Sequence, residues 1–206
     1  IKASDLTITA VNSDITSNGT LTVTGTTTLV AGNHNINLTQ PKNDFNTVQI
    51  IKDTNVPLTK DVALTDANDL NLGSVTTQGN ISVQAGNDLN LGSVTTQGNS
   101  VSVHAGNLLQ VNGPIQAADS STVTLKGSKV TTSQGLSITA RAGNVNIFGK
   151  IIELNSGSIN VQGDGVSGSK INGGTVQLGG DFNPSLNPKL SSADQINDVG
   201  GDIPLT

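Results

Sequence analysis

The sequence predicts an all-β chain wound as a single-stranded parallel β-helix, a β-solenoid of about nine coils of ~19–20 residues with essentially no helix. Three observations carry that expectation. The stretch "NDLNLGSVTTQGN" stands at residues 68–80 and again, unchanged, at 87–99. Apolar residues recur in pairs at i and i+2, the period of a strand with one buried face. Aromatic residues are 1% of the chain, three Phe with no Trp or Tyr, so a core must be built from Val, Ile, Leu and Ala.

Taken in order, the apolar pairs are Leu6/Ile8, Leu21/Val23, Ile36/Leu38, Val48/Ile50, Val62/Leu64, Leu70/Leu72, Ile81/Val83, Leu89/Leu91, Val101/Val103, Leu109/Val111, Val123/Leu125, Leu136/Ile138, Val145/Ile147, Ile159/Val161 and Val176/Leu178. Gly, Asn, Ser and Asp lie between them, as turns require. Within the duplicated unit, Leu70-Asn71-Leu72 reads as a strand and Gly73-Ser74 as a corner. Val75 reads as a single inward point, Gln78-Gly79-Asn80 as a second turn and Ile81-Ser82-Val83 as a second strand. Ala-Gly-Asn then opens the next unit, and this tripeptide recurs at Ala31, Ala85, Ala105 and Ala142. Its Gly and Asn are expected to supply left-handed or tight corners.

One such unit cannot bury its inner face alone. If the chain winds, each coil pairs its backbone with the coils above and below, about 4.8 Å away. Leu70 then stacks on Leu89, Leu72 on Leu91, Val75 on Val94 and Ile81 on Val101. That narrow aliphatic column explains the missing large rings. A leucine-rich repeat competes on period. Its second half needs a helical segment, however, and Thr76–Val83 reads as turn and strand.

The period is uneven. The spacing drifts between Val123 and Val145, where one strand per coil is expected to be lost or shortened. The coils are expected over 1–179. Residues 39–60, with two Pro and several Lys, are expected as a bulged insertion. Residues 180–206 hold three of the six Pro and read as an extended C-terminal tail or cap.

Composition narrows the chemistry. With no Cys there is no disulfide and no thiolate site. No run of about 18 apolar residues is present, so no membrane span is expected. A net charge of −5 without a basic stripe disfavours nucleic acid. The chain opens Ile-Lys-Ala, which reads as a processed product or a fragment.

No catalytic, cofactor-binding or metal residue is assigned, and no cofactor is expected. His34 and His104 are the two histidines. His104 takes the slot of Gln84 and reads as an outward surface residue. No Ser is tied to a His–Asp set, and a Gly-x-Ser-x-Gly elbow is missing. Asp69 and Asp88 should stack one coil apart. Two carboxylates about 5 Å apart suit Ca²⁺ or acid–base work, but a solvated corner ladder is the simpler reading. The Gly-rich segment 161–174 has neither the nonapeptide calcium period nor a P-loop around Lys170. The adjacent threonines Thr76-Thr77, Thr95-Thr96 and Thr131-Thr132 cannot form an ice-binding row, because alternate residues point inward. Sequons at Asn18, Asn37 and Asn80 arise readily in so Asn- and Thr-rich a chain.

The phrases "GTLTVTGTTTLVAG" (19–32), "NDFNTVQI" (43–50), "VALTDANDLNLGSV" (62–75) and "GNISVQAGNDLNLG" (79–92), with "GGDF" at 179–182, resemble the repeats of filamentous haemagglutinin-like exoproteins of two-partner secretion. The resemblance covers most of residues 5–180; the secretion domain of such proteins has no counterpart here. It implies a right-handed shaft at the bacterial cell surface or released from it, with roles in adhesion, aggregation or biofilm. The expected function is therefore a non-enzymatic extracellular structural or adhesive module, a shaft segment or a self-assembling filament subunit. Expected partners are its own ends or flanking repeats of a longer chain, and a host or matrix surface. The alternative is a carbohydrate-active β-helix enzyme of polysaccharide lyase or hydrolase type, which lacks here the aromatic rings that usually stack on sugars.

Overall fold

The computed structural model describes residues 1–10, 12–52, 59–155, 157–162, 175–179, 195–197 and 202–205. Among them there is no helix, and the strands wind as a parallel β-solenoid of about 7 turns. Three sheets form its faces. The first holds Thr22–Val30, Asp44–Ile50, Leu70–Leu72, Leu89–Leu91, Leu108–Val111, Lys129–Thr132 and Ile151–Glu153 as successive neighbours. The second runs from Ile15–Thr16 through Ile36–Leu38, Val62–Asp66, Ile81–Ala85, Ser100–Ala105, Thr122–Lys126 and Asn144–Phe148 to Thr175–Gly179. The third begins at Val75–Thr77 and continues through Val94–Thr96, Ile115–Gln116, Leu136–Thr139 and Gly157–Asn160.

The duplicated residues stack on themselves. Leu70 pairs with Leu89, Leu72 with Leu91, Val75 with Val94 and Ile81 with Val101. A one-residue slip would turn every Leu and Val of a strand outward, so the apolar alternation fixes the register. The buried column is Val, Ile, Leu and Ala with one ring, Phe45, fully enclosed. Each such side chain withdrawn from water contributes roughly 1.5–3 kcal/mol.

Three expectations are revised. There are about seven turns rather than nine, because coils outside the duplicated unit are longer. Hydrogen-bonded residues of adjacent coils are 19 apart at Asn90 and Asn71, but 22 apart at Leu21 and Asn43 and 24 apart at Asn68 and Asp44. Val75 is no isolated point: it opens a strand, Val75–Thr77, whose second inward residue is Thr77. Between Val123 and Val145 no strand is lost, since Thr122–Lys126, Lys129–Thr132 and Leu136–Thr139 are all present. The added residues sit in the corner Ser133-Gln134-Gly135, where Gly135 takes a left-handed φ of 70°. The third face does shorten nearby, to two residues at Ile115–Gln116.

Within 39–60, Asp44–Ile50 is a full strand of the first face, with Phe45 and Val48 in the core; residues 53–58 lie outside the described residues. Beyond the coils, Gln195–Asn197 runs antiparallel to Thr175–Gly179, and Asp202–Leu205 runs antiparallel to Gly157–Asn160. The rest of 180–206 lies outside the described residues.

The glycine of Ala-Gly-Asn takes the expected left-handed φ at Gly32, 54°, but has a different cause in the duplicated coils. Gly86 and Gly106 do not adopt positive φ. A Cβ on Gly106 would instead collide with the carbonyl oxygen of Gly86, and one on Gly86 with that of Ala67. The corner needs glycine because consecutive coils touch there backbone to backbone.

Candidate functional site

The most regular chemistry of the molecule is a set of polar ladders that run along its corners. At the entry to the second face, Asn35 N donates to Asp14 Oδ1 at 2.9 Å and Asp61 N to Asn35 Oδ1 at 3.2 Å. Asn80 N then donates to Asp61 Oδ1 at 2.7 Å and Ser100 N to Asn80 Oδ1 at 3.0 Å. Five successive coils are thus joined by four Asp or Asn side chains, one at each junction. A corner residue cannot pair its N–H within a strand, so a short acceptor side chain from the preceding coil takes it. The bonds from Asn35 also hold the Asp14 carboxyl below the usual carboxylate range, helped by the His34 imidazole and Lys60. His34 Nδ1 stands 3.7 Å from Asp14 Oδ1.

Asp69 and Asp88 are brought one coil apart, as expected, and one oxygen of each is engaged by the next coil. Asp69 Oδ1 accepts Asn87 Nδ2 at 2.6 Å and Asp88 N at 3.1 Å. Asp88 Oδ1 accepts Asn107 Nδ2 at 2.7 Å and Leu108 N at 3.0 Å. Each carboxylate caps the corner of the next coil. The amide comes each time from the Asn of Ala-Gly-Asn one coil on, Asn87 for Asp69 and Asn107 for Asp88. Among the described residues no three His, Asp or Glu side chains gather as metal ligands. On the outer surface Asn90 Nδ2 donates to Asn71 Oδ1 at 2.8 Å, and Ser93 Oγ to Ser74 Oγ at 2.8 Å.

Inside the column, Thr77 and Thr96 are buried while Thr76 and Thr95 face outward. Thr77 Oγ1 donates to Thr59 O at 2.6 Å and also touches Lys60 O; Gly79 N donates back to it at 3.1 Å. Thr96 bonds Gly79 O in the same way and accepts Gly98 N at 2.9 Å. One buried carboxylate was not foreseen. Asp66 is 2% exposed and accepts Phe45 N at 2.6 Å and Asn68 N at 3.0 Å. Loss of water pushes its carboxyl up to about 6, against the lowering effect of those two bonds; the charges of Asp44 and Asp69 add to the rise.

Two recesses of different character open among the described residues. A broad notch of about 600 Å³ is lined by uncharged groups, among them Gln110, Thr131, Ser133, Gln134 and Asn155. It lies beside the widened corner at Gly135. A smaller one of about 120 Å³ is lined by His104, Lys126, Lys150 and the Gly127-Ser128 corner. His104 does occupy the slot of Gln84, its partner in register, and is half-buried. The sequon residues Asn18, Asn37 and Asn80 are exposed. The segment around Lys170 lies outside the described residues.

No curated protein and no solved structure matches the chain. A family described as repeats of unknown function, DUF5649, matches residues 1–52, 59–88 and 78–134. Those matches span the coils whose stacking and corner ladders are described above, and the chain belongs to that family of repeats.

Proposed function

We propose that the chain is a non-enzymatic structural and adhesive module, a β-solenoid segment of an extracellular bacterial adhesin or matrix fibre. The observation that carries this reading is the unbroken parallel ladder of the second face, from Ile15 to Thr175. In-register backbone bonds repeated at every coil resist bending and pulling together rather than one at a time. The corner Asp and Asn residues add a side-chain bond per coil along the same axis. The outward residues of the strands are mainly Thr, Ser, Asn and Gln, suited to many weak contacts with a hydrated matrix or a neighbouring cell. The resemblance to filamentous haemagglutinin-like exoproteins supports a surface-exposed or released shaft. Coil stacks pair through their ends, so association with flanking repeats or with a second copy is the partner reading.

Beads coated with the purified chain, tested on a biofilm matrix and on host cells, address this directly. Retention well above that of albumin-coated beads is the expected outcome, together with no turnover of acidic polysaccharides. Electron microscopy at micromolar concentration reads the association: uniform fibres mark a filament subunit, short discrete rods a shaft segment. Beads that wash off every surface, or measurable polysaccharide cleavage, would overturn the proposal.

A further inference from the structure

The coils between His104 and Lys150 carry a local concentration of positive charge in an otherwise acidic chain. Between His104 and Lys150 the sequence holds Lys126, Lys129, Arg141 and Lys150 against one acid, Asp119, while the whole chain has a net charge of −5. Arg141 is held by Asp119 at 2.9 Å and Lys129 by Glu153 at 2.7 Å. His104, Lys126 and Lys150 converge on one corner. His104 and Lys126 are direct neighbours in parallel register, so their Cβ atoms stand roughly 5 Å apart on the same outward side. Lys150 lies one coil further on, just past Phe148, which is the register partner of Lys126. Together they line the recess of about 120 Å³, room for one tetrahedral oxyanion with part of its water shell.

The walls of this recess are fixed. Gly106 N donates to Ala85 O at 3.0 Å, Gly127 N to Phe148 O at 3.0 Å and Lys150 N to Ser128 O at 2.9 Å. Ser128 Oγ donates to Gly106 O at 3.1 Å. Backbone and hydroxyl donors are therefore committed to holding the corner, and the basic side chains face outward from a rigid frame. An ammonium has three donors, so each lysine can engage an anion while keeping a contact within the protein.

We propose that this recess binds a phosphate monoester group. Two lysines and a histidine favour a compact dianion. A phosphate monoester carries about −1.5 to −2 near neutral pH, whereas a carboxylate or a sulfate ester carries a single charge. The group is borne by a surface polysaccharide or is free inorganic phosphate. The inference goes beyond the adhesive reading, and its failure would leave that reading in place.

The test titrates the ¹⁵N-labelled full chain with inorganic phosphate and with a phosphomannan, reading amide shifts. Saturable shifts confined to residues 104–106, 126–128 and 149–150 are expected. Lys126→Gln and Lys150→Gln should each weaken binding on the order of tenfold, with Lys60→Gln unchanged and methyl sulfate, a monoanion, weaker than phosphate. Binding of both probes means the group alone is recognised; binding of the phosphomannan alone means the polymer carries it. Shifts spread over the whole face, no saturable shift with either probe, or undiminished binding by the doubly substituted chain with an otherwise parental spectrum would overturn the proposal.

Discussion

The duplicated coils and the coils before them solve the same corner in different ways. Ala85 and Ala105 stack in one buried corner position, in register with Asp66. The carbonyls of this position pass to the coil above: Gly106 N donates to Ala85 O, Gly86 N to Asp66 O and Ala67 N to Asn43 O. One column of the solenoid therefore reads Asn43, Asp66, Ala85, Ala105. Where neighbouring coils are alike, a methyl group suffices, because every backbone group meets its counterpart. Toward the N-terminus the first-face strands lengthen to nine and seven residues, and the register shifts between Val23 and Thr26. There the same position carries a polar side chain that reaches back to an N–H the ladder misses. Asn43 Oδ1 accepts Leu21 N at 3.0 Å, and Asp66 Oδ1 accepts Phe45 N at 2.6 Å. The accounting is not complete, for Thr27 Oγ1 is buried without a partner. Repetition spreads the polar requirements of a solenoid over many small equal contributions; irregularity concentrates them in a few residues.

The sharpest way to break that comparison is Asn43→Ala. Asn43 is fully buried, and its amide also donates to Leu38 O at 3.0 Å. The substitution makes the corner resemble Ala85 but leaves Leu21 N and Leu38 O without partners in the core. A buried polar group left unmade costs about 1–3 kcal/mol, so a loss of about 3 kcal/mol in urea unfolding is expected. A loss under about 1 kcal/mol would mean that the N-terminal coils relax as freely as the repeats, and the distinction would fail.

Asp66 sharpens the comparison through pH. Its carboxyl, pushed up to about 6, lies above the unfolded value of 3.8. Between those values the folded chain holds more protons than the unfolded one, so stability falls as pH rises. The contribution is complete below 3.8 and lost as pH passes through about 6. At about 1.4 kcal/mol for each pH unit, the change between pH 4 and pH 7 is on the order of 3 kcal/mol. Asp14 and Asp119 have lowered carboxyls; their stabilisation disappears only as pH falls below 3.8, outside this window. Urea midpoints should therefore fall from pH 4 to pH 7, and Asp66→Asn should flatten the slope. A parental midpoint that is constant or rises over the window would show the buried carboxyl to be ordinary.

The sequence made the stacking legible because a verbatim repeat leaves only one register in which Leu70 meets Leu89 and Val75 meets Val94. The third face was legible only where an apolar pair marks it, as at Leu136/Ile138. Its strand Val75–Thr77 has one apolar residue, and its second inward side chain, Thr77, is tolerated in the core only because Thr59 O accepts its hydroxyl. No i, i+2 apolar pattern marks such a strand. The turn count failed for a related reason: coils before residue 62 are longer than the unit that set the expected period. The corner role of Asp69 and Asp88 was half visible, since the spacing placed them but not the Asn amides they hold. The basic recess was hidden altogether. His104, Lys126 and Lys150 are brought together by coils longer than the duplicated one, so no fixed period in the sequence aligns them.

The smallest expected effect tests the repeat side of the comparison. Asp88→Ala removes two hydrogen bonds, to Asn107 Nδ2 and Leu108 N, as many as Asn43→Ala removes. The difference is water. Asp88 is half-buried at a corner, and both donors it releases can be hydrated, so the loss should be near 1 kcal/mol, as for an exposed cap. The same substitution at Asp69 should cost a similar amount, and the two should couple rather than add, because Asp69 Oδ1 accepts the N–H of Asp88 itself. Calcium enters here as the discriminating reagent. Millimolar Ca²⁺ should leave the melting temperature of the parent chain unchanged, since Asp69 and Asp88 point their oxygens at amides rather than at each other. A calcium-dependent rise in Tm that vanishes in Asp88→Ala would make the corner an ion site, and its carboxylates would no longer be small, interchangeable contributions.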